Sequence, residues 1–137
     1  MIDQPPPDFP NNSGVVPTAD DRNLAMLAHL TGLLGFLLGA GAFGCVGPLV
    51  IYLTQRDKSE FIRFHAKDSL NHQITLFIFN VCCGLAILIG SFFCIGFLFF
   101  IPLGMAAILS IIFEIMACVQ ASRGEWTRIP WSIRFLS

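Results

Sequence analysis

The ten residues Gly39–Pro48, GAGAFGCVGP, decide how this chain is folded. They interrupt an apolar block that runs from Leu24 to Thr54 without a formally charged side chain. As one straight helix that block would be about 46 Å long, against a hydrocarbon core of ~30 Å. Four glycines and a proline in ten residues break or hinge a helix. The block is therefore read as a helix over 22–40 and a shorter one over 46–55. Two arrangements follow. In the first, the two segments form a hairpin whose short second arm is re-entrant, and both ends lie on one side. In the second, the block crosses once and the chain has three full spans.

Working outward, a second uncharged stretch of 45 residues separates Asp68 from Glu114. A spanning helix needs roughly 20 residues, so two spans and a turn fit there. The spacing predicts a helix over 61–90, a turn through GSFFCIG and a helix over 97–122. Pro102 then falls in the first turns, where proline is tolerated best. Hydrophobic residues make up 55% and charged residues only 12% of the chain, far from the ~25% charged residues of soluble domains. The fold class is all-α, a polytopic membrane bundle of four helical segments. Residues 1–21 form a polar tail too poor in apolar side chains to bury a core. Residues 22–122 form the transmembrane domain, and residues 123–137 a tail along the membrane interface. MIDQPPPDFPNNSG lacks the basic start and apolar run of a signal peptide. The five cysteines lie within apolar blocks with no C-x-x-C spacing, and read as small packing residues.

Four of the eight Lys and Arg lie within 55–68 and three after residue 121. The positive-inside rule places both segments in the cytoplasm. Glu114 lies nine residues before Arg123, about 13 Å along the axis, and His29 seven residues past Arg22, about 10 Å. The two share a depth only when the N-terminus lies on the same side as the C-terminus, which favours the hairpin. Small residues mark packed seams in lipid. Ala25, Ala28, Gly32, Gly35 and Gly39 form one face of the first helix. Ala107, Ser110, Glu114, Ala117, Cys118 and Ala121 form one face of the last, with Leu109, Ile112 and Met116 pointing to lipid.

An intramembrane carboxylate is costly and faces the bundle interior or water. Glu114 on its small-residue seam faces inward, and Gln73 and Asn80 on the third helix and His29 on the first can meet it. This set reads either as a proton or ion site or as a hydrogen-bonded structural node. His65, Asp68 and His72 share a helical face, and two imidazoles with a carboxylate suit Zn²⁺. Their end-to-end reach of about 10 Å is wide for one ion, and an interfacial polar face explains them as well, so no metal and no cofactor is expected. Phe61, Arg63, Phe64 and Lys67 before the third helix, and Arg123, Trp126, Arg128 and Trp131 in the tail, read as interfacial anchors. No catalytic set is apparent, and seventeen charged residues leave no basic surface for nucleic acid.

The segments LAMLAHLTGLLG, GPLVIYL, FIRFHAKDSLNHQITL and GEWTRIPWSIRF together resemble the bacterial Tic-twenty-like membrane proteins, a domain of unknown function. Those are distantly similar to a chloroplast inner-envelope translocon subunit. The resemblance covers residues 24–135 and implies four helices with both ends inside and no catalytic residues. The sequence reading is a non-enzymatic multi-pass subunit or scaffold that acts by helix packing. Its partners would be the bilayer and a membrane protein or a second copy, and its setting protein translocation or insertion. The alternative is a proton- or ion-linked transporter component built around Glu114, with a metalloenzyme as a distant third.

Overall fold

The computed structural model describes residues 16–39, 41, 43–55 and 57–136. Four α-helices follow one another: α1 (Ala19–Leu38), α2 (Val46–Gln55), α3 (Glu60–Ser91) and α4 (Phe100–Arg123), the last entered through a 3-10 turn at Gly96–Phe99. There is no strand among the described residues. Both α3 and the stretch Gly96–Arg123 are long and apolar enough to cross a membrane, their 18-residue apolar windows having mean hydropathies of 2.2 and 2.4.

Helix α1 begins three residues before the expected position because Thr18 caps it. The Thr18 hydroxyl accepts the Asp21 N–H at 3.1 Å, and the Asp21 carboxylate accepts the Thr18 N–H at 2.9 Å. This reciprocal pairing satisfies two donors that a helix start otherwise leaves bare. The proposed tail over residues 1–21 lies, up to residue 15, outside the described residues.

The glycine-rich decade closes a hairpin, so the chain does not make three full spans. The Arg22 and Pro17 side chains lie against Gly124 at the end of α4, and Gln55 at the end of α2 accepts the Lys58 N–H at 3.0 Å on the way into α3. Helix α1 thus leaves, and α2 returns to, one end of the bundle, here called the near end. Glycine is needed at the apex for space. A side chain on Gly35 would strike the Phe43 backbone, one on Gly47 would overlap Thr31, and Gly41 has φ +92°. Gly41 lies against Asn80 of α3, which runs eleven residues further to Ser91, about 16 Å. The α1–α2 hairpin therefore flanks only the near part of the α3–α4 pair.

Small residues set how closely the helices meet. Ala25 and Ala121, both fully buried, share the near-end core with Phe61. Ser110, Glu114 and Ala117 face inward on α4, while Leu109, Ile112 and Met116 face out. With little hydrophobic force between helices in lipid, such close approach and interhelical hydrogen bonds hold a bundle together.

The C-terminal segment, expected to be irregular and to lie along the interface, is irregular and docks onto α3. Gly124, at φ +80°, ends α4 in a left-handed cap, and the chain turns back against α3. The Ile129 N–H donates to Asp68 Oδ2 at 2.8 Å and the Ile133 N–H to Thr75 Oγ1 at 2.9 Å. Asn71 Oδ1 accepts the N–H groups of Phe135 and Leu136, and Asn71 Nδ2 donates to the Leu136 carbonyl at 3.1 Å. Asp68, Asn71 and Thr75 occupy i, i+3 and i+7 on one face of α3. Irregular backbone beside a membrane helix has to find its partners in protein, and this polar ladder supplies them.

Gly44 and Gly84 separate close approach from mere flexibility. A Cβ on Gly44 would overlap the Gln73 side chain, whereas nothing lies within 4 Å of one on Gly84. Gly44→Ala is expected to lower stability by about 1–3 kcal/mol, the usual cost of overpacking, and Gly84→Ala to leave it unchanged or slightly raised. Thermal unfolding of the purified protein in detergent measures both.

Candidate functional site

Three helices contribute to one buried polar cluster: α1 gives one residue, α3 three and α4 one. On α1, Ala25, Ala28 and Gly32 clear the face that carries His29; on α3, His65, Ser69 and Gln73 recur every four residues; on α4, Glu114 lies between Ser110 and Ala117. His29, His65, Gln73 and Glu114 are each 0% exposed. His29 Nδ1 lies 3.0 Å from Glu114 Oε2, and His29 Nε2 lies 3.1 Å from His65 Nδ1. His65 Nε2 in turn reaches the Glu125 carbonyl at 3.1 Å. The other carboxylate oxygen, Glu114 Oε1, accepts from Gln73 Nε2 at 2.9 Å and from the Ser69 hydroxyl at 3.5 Å.

The direction of this relay follows from its last member. A carbonyl only accepts, so His65 Nε2 carries a hydrogen. A neutral His65 then accepts at Nδ1, and His29 must donate from Nε2. One proton is left to sit between His29 Nδ1 and Glu114 Oε2. On the histidine it gives an ion pair, on the carboxyl a neutral pair, and either way the relay carries no net charge. That neutrality matters at full burial, where each unpaired ion costs several kcal/mol.

Aromatic rings wall the relay at the near end. The Phe61 and Phe64 centroids lie 4.5 and 5.3 Å from that of His65, and Trp126 closes over both at 5.0 and 5.2 Å. Phe61 and Phe64, read from sequence as lipid anchors, are buried, because His65 must be screened from water on this side. Arg63 and Arg123 are exposed, Lys67 is half-buried, Arg128 sits over the Phe64 ring at 5.2 Å, and Trp131 is 87% exposed.

Of the four residues expected to form the polar site, His29, Gln73 and Glu114 come together, while Asn80 lies apart, beside Gly41. Asn80 is seven residues beyond Gln73, about 10 Å along α3. His65, Asp68 and His72 diverge to three different partners: His29, Ile129 and Ser110, the last at 3.0 Å from His72 Nε2. Among the described residues no group of three or more His, Cys, Asp and Glu side chains is placed to hold a metal ion. Sequence reasoning missed the Glu125 carbonyl and the clamps Asn71 and Thr75. A backbone carbonyl leaves no signal in sequence, but polar residues at i, i+3 and i+7 off the α1-facing side of α3 do.

The magnetosome magnetite crystal formation protein family, MamF_MmsF, has a family model that matches residues 20–136, and the chain belongs to it. This overturns the resemblance to Tic-twenty-like proteins and the translocon analogy with it. The segments that carried that resemblance, FIRFHA and GEWTRIP, hold Phe61, Phe64 and His65 against Glu125 and Trp126. They report how the end of the chain locks onto the bundle and say nothing of cargo. No curated protein and no solved structure is a significant match. The chain is a small multi-pass integral membrane protein of this family.

Two substitutions test the network. In Glu114→Gln the amide can donate to His29 Nδ1 and accept from Gln73, so thermal stability should stay within about 1 kcal/mol of the parent. Glu114→Ala strands both partners in a dry site and should cost about 3 kcal/mol or more. Asn71→Ala removes three side-chain bonds to the C-terminal segment, each of about 1 kcal/mol. It should speed tryptic cleavage after Arg134 roughly tenfold or more, as followed by mass spectrometry.

Proposed function

We propose that this member of the MamF_MmsF family is a structural subunit of a membrane assembly, acting through helix packing with other membrane proteins and not by moving a solute. The observation that carries this reading is where the polar groups are spent. His29, His65, Gln73 and Glu114 are sealed inside, and the outward faces of α3 and α4 are lined by large apolar side chains such as Leu88, Ile89, Ile108 and Ile112. What the molecule offers a partner is helix surface.

The proposed setting is the bacterial cytoplasmic membrane with the near end in the cytoplasm. Arg22, Arg63, Lys67, Arg123 and Arg128 all belong to that end, and no charged side chain lies between Asp68 and Glu114. The far turn, Ser91 to Phe100, therefore carries no carboxylate. If the family's part in magnetite crystal formation extends to this chain, it runs through organising the membrane assembly, because this turn offers a single thiol, Cys94, and no carboxylate or imidazole with which to hold iron.

The relay itself favours a second reading, proton transfer, since its members each hold or accept a hydrogen. Its extent opposes that reading. The hydrogen-bonded groups stop at Gln73, Asn80 stands apart, and α3 beyond it faces outward with Val81, Leu85 and Leu88.

A photo-crosslinking residue at Leu109 or Leu88, installed in native membranes, should yield a discrete adduct with one reproducible protein. Lipid adducts alone at both positions overturn the subunit reading. In reconstituted vesicles the parent and Glu114→Gln should show the same proton flux as empty vesicles. Flux that requires Glu114 would establish the transport reading in its place.

A further inference from the structure

We propose that the cavity between α3, α4 and the C-terminal segment binds the ring of a neutral isoprenoid quinone, whose tail leaves along α4 into the bilayer. The feature that calls for a ligand is a buried donor with nothing to donate to. His72 is 5% exposed and borders the cavity, and its Nδ1 has no hydrogen-bond partner among the described residues. Its Nε2 lies 3.0 Å from the Ser110 hydroxyl, which has no second acceptor among the described residues. Were the hydrogen on Nε2, both the serine hydrogen and Nδ1 would be stranded. With the hydroxyl donating to Nε2, the neutral ring carries its hydrogen on Nδ1, and that group alone is unmet. A buried donor of this kind costs free energy until an acceptor arrives.

The acceptor is needed at a depth where ordinary bilayer lipid offers none. Ser110 lies thirteen residues from Arg123, the end of α4, or about 20 Å along the helix. Half a bilayer with its headgroups is ~20–22 Å, so this pair sits close to the midplane. The ester carbonyls of phospholipids stay beside the headgroups. Water is poorly held here, because a buried water needs about two to four polar partners. Ser110 is given to His72, and Thr75 donates to the Asn71 carbonyl at 2.8 Å and accepts the Ile133 N–H at 2.9 Å. A neutral lipid with a carbonyl on its head brings the acceptor to this depth and adds no charge to be desolvated.

The walls select a flat, conjugated head. The cavity has a volume of about 330 Å³ and is bordered by Phe79, Phe113 and Trp131, with Met105 and Pro102 beside them. Aromatic rings take a flat π-system by offset or edge contact, and a thioether sulfur adds to it. Small-molecule pockets run from about 300 to 1,000 Å³, and one at the low end suits a ring head with its tail outside. Phe79 and Met105 are partly open to lipid, which gives the tail its exit. Trp131 is held at φ +71° between two anchored N–H groups, that of Ile129 on Asp68 and that of Ile133 on Thr75. This conformation is unfavourable for a bulky residue, and such strain gathers where a side chain has to be aimed. Here it sets the indole at the cavity edge.

The test uses the full chain with Trp126→Phe, which leaves Trp131 as the only tryptophan. It is reconstituted in phosphatidylcholine vesicles and titrated with a short-chain menaquinone. Quenching of Trp131 by a bound ring saturates at one quinone per chain, whereas collision with quinone dissolved in the bilayer rises in proportion to its mole fraction. A saturable component is expected, together with a quinone carbonyl band in the infrared shifted to lower frequency by the His72 hydrogen bond. Ala106→Phe, which fills the cavity, should abolish the saturable component, and Ile115→Phe, outside it, should leave it unchanged. His72→Phe should weaken binding about fivefold, the worth of one hydrogen bond, and return the band to its position in lipid. Quenching that is only proportional to mole fraction overturns the proposal. So does a saturable component with an unshifted carbonyl band. Acyl-brominated phosphatidylcholine that saturates at the same mole fraction means that any chain fills the cavity, and it overturns the proposal as well. These three readings are made without altering the cavity, so they do not depend on whether a cavity variant folds.

Discussion

A carboxyl group that cannot reach water must be met by protein, and the rest of this bundle is arranged to meet Glu114. His29 reaches it because α1 is lined by Ala25, Ala28 and Gly32, none of which holds the helix away. Gln73 reaches it because Gly44 leaves room for the amide beside the α1–α2 apex. Ser69 lies between the Ala28 carbonyl at 3.2 Å and Glu114 Oε1 at 3.5 Å, two acceptors that share its single hydroxyl hydrogen. Each small residue in the seam thus has two effects: it allows close packing, and it shortens the distance over which a polar group must extend. In lipid the second effect is the greater one, since packing alone gains little over contact with acyl chains.

The C-terminal segment is part of the same device. Glu125, just beyond the helix end, supplies the carbonyl that sets the hydrogen positions of His65 and then of His29. Loss of that contact would leave His65 Nε2 a buried donor without an acceptor, at a cost of about 1–3 kcal/mol. Docking of the segment onto Asp68, Asn71 and Thr75 and completion of the relay are therefore one cooperative event. Trp126, lying over Phe61 and Phe64, joins the two by covering the ring that both depend on.

Much of this was legible in the sequence, for reasons that can be named. Charge-free stretches of membrane length reveal helices because a bilayer admits little else. The glycines of 39–48 reveal the break because their spacing fits no helix. His29 and Glu114 were placed at one depth by counting from Arg22 and Arg123, and in the structure they lie 3.0 Å apart. What stayed hidden was inward use of groups that look like surface. Phe61 and Phe64 beside Arg63 and Lys67 read as headgroup anchors, because aromatic and basic residues do mix there. Only the position of His65 shows that these rings face in. The course of residues 125–136 was hidden more deeply, since its contacts are backbone groups donating to side chains 58 to 65 positions away. Asn80 was misleading for the opposite reason, because a shared helical stripe implies a shared environment only while the neighbouring helix continues, and α1 ends at Leu38.

The family assignment and the geometry bear on each other at this point. The matched region, residues 20–136, takes in all four helices and the C-terminal segment, so the unit defined by the family is the closed bundle with its end docked. That segment has a structural reason to belong to the unit. Without it the relay lacks its terminal acceptor, Asp68, Asn71 and Thr75 lose the backbone they engage, and the cleft between α3 and α4 loses Pro130 and Trp131. Among the described residues the far turn has no comparable device: Phe92, Phe93 and Phe97 are largely exposed, and no polar network is seen to reach them. Precision is concentrated at the near end, where the basic residues gather. Under the subunit reading proposed above, this order keeps the helix faces offered to a partner in fixed positions. The buried proton between His29 and Glu114 contributes by keeping the three helices in register without net charge.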